Sequence, residues 1–175
     1  MDIKDFYFKE QVYDLDDLIK NPNAYIGGFN TESLVTFMKA NRKKYIESGI
    51  LLIEGGIAFT SSYKEIGQLP IFDDLPSLYG YYLNAMEEYL EEGIAAFYYP
   101  SQPIGVKLEK YGGSKTRLTI DNNSLIVSED VLLQALVYHS QRFFDLLVKQ
   151  LNHKMYTNEL VQIGTIKKSI SKLII

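Results

Sequence analysis

The chain has 175 residues, 46% apolar and 23% charged, ordinary globular values that exclude a disordered or collagen-like class. It contains no cysteine, which excludes disulfides, thiolate metal sites and cysteine nucleophiles. A net charge of −4 argues against a general nucleic-acid binder, and the length suits one domain spanning 1–175 with a core of its own.

The opening MDIKDFYFKEQVYDLDDL has no basic leader and no unbroken apolar stretch, so no signal peptide is expected. After a short N-terminal stretch, YDLDDLIKN reads as a brief helix with Leu15, Leu18 and Ile19 on one side, stopped before Pro22. NTESLVTFMKANRKKYIESG reads as a second helix, capped by Asn30 or Thr31 and ended by Gly49. Its apolar side is Leu34, Phe37, Met38 and Tyr45. GILLIEGGIAFTSS then has the look of a hairpin, two apolar runs joined by Gly55-Gly56.

The clearest helix is DDLPSLYGYYLNAMEEYLEEG. Leu75, Leu78, Tyr79, Tyr82, Leu83, Met86, Tyr89 and Leu90 recur at steps of three and four, which gathers them into one stripe. Glu87, Glu88, Glu91 and Glu92 fall on the other side. Asp73, Asp74 and Pro76 suit the first turn, and Gly93 closes the helix.

Residues 94–128 read as a meander whose register follows from matching loop length to apolar alternation. A loop from Pro100 to Pro103 pairs Tyr99 with Ile104, Phe97 with Val106 and Ala95 with Leu108. A loop of Gly112-Gly113-Ser114 pairs Leu108 with Leu118 and Glu109 with Arg117. A turn at Asn122-Asn123 pairs Ile120 with Leu125 and Leu118 with Val127. All three hairpins put the apolar residues on one face. The other face holds Tyr98, Lys107, Glu109 and Arg117, and a single aromatic is no stacking platform for bases. No nucleic-acid partner is expected.

SEDVLLQALVYHSQRFFDLLVKQLNHK follows as a long helix, with Ser128 as cap and apolar residues on more than one side, which calls for central burial. The tail TNELVQIGTIKKSISKLII reads two ways: Ile163, Ile166, Ile170 and Leu173 have helical spacing, whereas LVQIGTI alternates like a strand. No apolar run approaches the ~18 residues of a membrane span. With the lack of cysteine, this leads us to expect a cytoplasmic protein without a membrane partner.

Charge is unevenly spread. Residues 1–100 carry 16 acids and 8 bases, residues 101–175 carry 6 and 10, and from Glu65 to Val106 there are seven carboxylates and no Lys, Arg or His. Adjacent carboxylates on a helix do not converge on a point, so neither catalysis nor metal binding is expected of them. The two histidines, His139 and His153, lie 14 apart on one expected helix, roughly 21 Å, and cannot share a metal. No G-x-S-x-G pattern surrounds Ser140. YGGSKT lacks the two glycines of a phosphate-binding loop, whose positions hold Ser114 and Glu109.

The expected fold is α+β: a four-stranded or larger antiparallel meander sheet against a long C-terminal helix, with additional helices around it. No catalytic residue, metal or cofactor is expected. The leading functional expectation is a binding protein whose acidic helix, through Glu87, Glu88, Glu91 and Glu92 with Asp73 and Asp74, engages a basic protein partner. A toxin-neutralising immunity protein is one concrete instance. The alternatives are an enzyme or ligand-binding protein with a tyrosine-lined pocket, and a subunit that homo-oligomerises through the outer sheet face.

Overall fold

The computed structural model describes residues 1–28, 31–41, 46–47, 50–62 and 64–173. Its strands are β1 (Asp2–Phe8), β2 (Ile26–Gly28), β3 (Ile46–Glu47), β4 (Ile50–Leu51), β5 (Glu54–Ser61), β6 (Lys64–Ile66), β7 (Asp73–Asp74), β8 (Ile94–Tyr98), β9 (Gly105–Lys110), β10 (Lys115–Ile120) and β11 (Asn123–Ser128). The helices are α1 (Leu15–Lys20), α2 (Pro22–Tyr25), α3 (Thr31–Ala40), α4 (Leu75–Glu92), α5 (Glu129–Asp145) and α6 (Thr157–Leu173).

The C-terminal half forms the expected four-stranded antiparallel meander, in the order β11-β10-β9-β8. Ala95 faces Leu108, Phe97 faces Val106, Leu108 faces Leu118 and Glu109 faces Arg117. The last hairpin is corrected by two residues: Leu118 pairs with Leu125 and Ile120 with Asn123. Its turn falls on Asp121-Asn122, where Asp121 takes the left-handed φ of 53° that Asp tolerates better than most residues. A slip of two preserves parity, so Leu118 and Leu125 still face the core.

A second sheet lies in the N-terminal half, where the sequence suggests only a hairpin. Its order is β2-β1-β5-β6, with β7 also on β5. Gly55-Gly56 is not a turn. Both glycines lie within β5, opposite Tyr7 and Phe6 of β1. A Cβ at Gly55 would sit 2.1 Å from the Phe6 carbonyl, and one at Gly56 would sit 2.4 Å from the Phe6 ring. Close approach of β1, not turn geometry, demands glycine there. Along β1, Ile3, Asp5 and Tyr7 face the main core, whereas Phe6 and Phe8 join Leu18 of α1 in a smaller cluster. Of the three apolar residues read in α1, only Leu18 is buried; Leu15 and Ile19 are exposed.

Three other expectations need correction. Helix α3 ends at Ala40, and Ile46–Glu47 pair with Ile50–Leu51 as strands. Thr31 is its first residue, and Asn30, Tyr45 and Gly49 fall outside the described residues. Helix α5 passes at Leu146 into a wider π-turn, Leu146–Gln150, which leaves His153 beyond the helix. Ser128 holds the cap position without a side-chain hydrogen bond. The tail resolves as helix α6, with Ile163, Ile166 and Ile170 buried.

Helix α4 connects the two sheets. Its tyrosines 79, 82 and 89 are fully buried. Tyr79 donates to Asp5 of β1 at 2.5 Å, and Tyr82 packs on Phe59 of β5 and Phe97 of β8. Tyr89 shares a 2.6 Å hydrogen bond with Thr116 of β10. Helices α5 and α6 complete one continuous core that runs from Ile3 to Ile170.

Candidate functional site

The six carboxylates singled out in the sequence occupy the two ends of α4, roughly 27 Å apart at 1.5 Å per residue. The structure does not bring them together. At the C-terminal end Glu88, Glu91 and Glu92 lie towards solvent, and Glu87 is half-buried, accepting from Gln162 Nε2 at 2.7 Å. Gly93 terminates the helix with φ 76°, and no basic residue stands in the last turn. Lys110 passes its methylenes over Gly93. Among the described residues, none of the four glutamates has an ion-pair partner. The helix dipole is negative at this end, so these charges oppose local stability. Glu87/Glu91, Glu88/Glu91 and Glu88/Glu92 also repel at three- and four-residue spacing.

Asp73 and Asp74 have structural work at the other end. Asp73 is buried and accepts from the backbone N–H groups of Asp74 and Ser101, each at 2.8 Å. Asp74 caps α4 through Ser77, accepting from its N–H at 3.1 Å and its hydroxyl at 2.6 Å. It also accepts from Ile53 N–H at 3.2 Å. With Glu10 and Glu54 they border a cleft of about 430 Å³ that includes Phe8 and Phe72. Burial, and then the charges of Asp74 and Asp73, push the Glu54 carboxyl above its usual range. A raised carboxyl pKa in the fold means that the ionised form costs stability above it, a cost that disappears once folded and unfolded chains are both protonated. Glu54→Gln should therefore stabilise the protein at neutral pH and do nothing below about pH 4. Thermal denaturation across that range checks this; a gain that survived in acid would not come from charge.

A polar cluster that the sequence did not reveal lies under the core face of β1. Asp5 is buried, with Arg142 Nη2 2.6 Å from both of its oxygens. His139 Nδ1 lies 3.2 Å from Oδ2, which also accepts from Tyr79. Burial alone would raise the Asp5 pKa, but the hydrogen bonds from His139, Arg142 and Tyr79 and the guanidinium charge together hold it below the usual value. Burial, reinforced by the Asp5 charge, pushes the Tyr79 hydroxyl well above its usual value. Two sequence signals could have exposed the cluster. Asp5 shares the parity of Ile3 and Tyr7, so a carboxylate on a core face needed partners. His139 and Arg142 are three apart on an apolar helix and so share a face. Beside the cluster opens a cavity of about 740 Å³ that His139, Arg142 and Asp5 help to line.

On the outer face of the meander, Glu109 accepts from Lys107 at 2.6 Å and from Arg117 at 3.2 Å, and Arg117 lies 4.2 Å over the Tyr111 ring. Tyr98 is exposed and covers Gly105. Among the described residues, no three His, Cys, Asp or Glu side chains converge as metal ligands, and no helix is long and apolar enough to cross a membrane. Ser140 is buried away from solvent. Compared with family models, with curated proteins and with solved structures, the chain matches none.

Proposed function

We propose that the chain is a protein-binding module whose acidic helix end engages a basic partner protein. One observation carries the reading: glutamates crowd the end of α4 where helix dipole and mutual repulsion both disfavour them, with no ion-pair partner among the described residues. Breaches of local preference are expected at functional sites. Such a surface accelerates association with a cationic partner by electrostatic steering. A toxin-neutralising immunity protein, which covers the basic site of an enzyme with carboxylates, is one member of this class. The acidic cleft around Asp73 and Asp74, at the far end of the same helix, offers a partner a second cation-accepting position.

Changing Glu87, Glu88, Glu91 and Glu92 together to Gln tests the proposal. The amide that replaces the Glu87 carboxylate keeps an oxygen for Gln162, so the fold should lose nothing and gain up to about 1 kcal/mol. The partner captured from the source cell by the native protein should be basic. Its association with the variant should be slower at low salt, with the difference fading as salt rises. Equal affinity of the two proteins for that partner would reduce the acidic end to a solubilising surface.

A further inference from the structure

We propose that the cavity beside Asp5 is a small-molecule site for an uncharged, largely apolar ligand bearing a hydroxyl group, an alcohol or a phenol, held by Nε2 of His139. At about 740 Å³ it falls within the size range of small-ligand pockets. Phe6, Ile26, Ala58 and Leu69 supply an apolar wall, against which the apolar part of a ligand would be removed from water.

One polar group is specifically prepared. The Asp5 carboxylate lies 3.2 Å from Nδ1 of His139 and is itself fixed by Arg142 and Tyr79. Nδ1 is thereby engaged, facing the Asp5 carboxylate at 3.2 Å and Arg142 Nη2 at 3.3 Å, which leaves Nε2 as the ring nitrogen open to a ligand. Among the described residues no protein donor reaches Nε2, and the ring, only 12% exposed, lines the cavity. Its backing by Asp5 holds the ring still, so Nε2 is oriented before a ligand arrives.

Charge decides the ligand class. Asp5 and Arg142 compensate each other, and the remaining lining charges are Asp2, Glu65 and Lys4. Two acids against one base disfavour an anion, and Nε2 asks for a hydrogen-bonding group, which a hydroxyl is whether the nitrogen donates or accepts. A neutral hydroxyl meets both conditions. This site is separate from the acidic end of α4, and neither proposal depends on the other.

The test uses p-cresol and p-xylene, which differ by a hydroxyl in place of a methyl. The chain has two histidines, so His153→Gln assigns the imidazole NMR signals of His139. In the native protein p-cresol should shift those signals saturably, leave His153 unmoved, and bind roughly tenfold tighter than p-xylene, the worth of one hydrogen bond. His139→Phe should erase that preference while p-xylene still binds. Absence of a saturable His139 shift, or equal binding of the two probes by the native protein, overturns the proposal whether or not the variant folds. Tighter binding of 4-methylbenzoate than of p-cresol would overturn it too, by showing an anion site.

Discussion

Asp5→Asn should destabilise the fold by about 3 kcal/mol at neutral pH, the low end of the cost of removing one partner from a buried ion pair. Arg142 is partly exposed, whereas Asp5 is buried, which places the cost at that end. Asn keeps the shape but loses the charge. Its amide oxygen cannot serve Arg142, His139 and Tyr79 together, and its amide NH₂ adds a donor among three others. The sign with pH follows from the lowered Asp5 pKa. The stabilisation is fully present above the unfolded carboxyl value near ~3.9 and is lost as pH falls through the lower folded value. Urea denaturation of both proteins should therefore show a gap that narrows in acid. A loss below about 1 kcal/mol, or a gap indifferent to pH, would mean that the cluster is not an ion-paired centre.

Leu118→Asp should cost about 3–5 kcal/mol, whereas Thr119→Asp, one residue along the same strand, should change stability by less than about 1 kcal/mol. Leu118 is fully buried between Leu108 and Leu125 on the core face. No cation faces that position across either neighbouring strand, so the new charge would be buried without a partner. Thr119 lies opposite Lys107 on the outer face, where a carboxylate gains a cross-strand partner. Comparable losses in chemical denaturation would contradict this orientation of the sheet.

Sequence legibility tracks the range of the interactions. The meander is readable because its hairpins close locally: loop length and alternation constrain each other. Even there Asn123 passes for a turn residue, because Asp121, Asn122 and Asn123 all suit a turn and a two-residue shift leaves every side chain on the same face. Helix α4 is readable from its stripe and its punctuation by Asp74 and Gly93. The N-terminal sheet is not. Phe6, Tyr7 and Phe8 are consecutive and all buried because β1 is covered on both faces, which erases alternation. Its partner β5 is distant in sequence, and Gly55-Gly56 offers a nearer, false explanation. The acidic residues of the candidate surface are legible one by one, but not their split between the two ends of α4. The Asp5 cluster joins β1, α4 and α5; the parity of Asp5 and the shared face of His139 and Arg142 mark its members in the sequence, but not that they meet.

The pairing of β1 with β5 also bears on how the chain is made. β1 leaves the ribosome well before its partner, which is incomplete until Ser61, and helices α4, α5 and α6 of the shared core come later still. At roughly 5–20 residues per second, Ile3, Tyr7, Ile57 and Phe59 wait on the order of ten seconds for α5 and α6. During that interval the two apolar strands are covered only in part, by the helices that precede Gly93, a condition in which nascent chains associate wrongly or recruit a chaperone. The meander suffers no such delay, because each of its strands emerges a short loop after the one it pairs with. The later-made sheet is thus the one whose strands pair most locally, and the earlier-made sheet is the one that must wait.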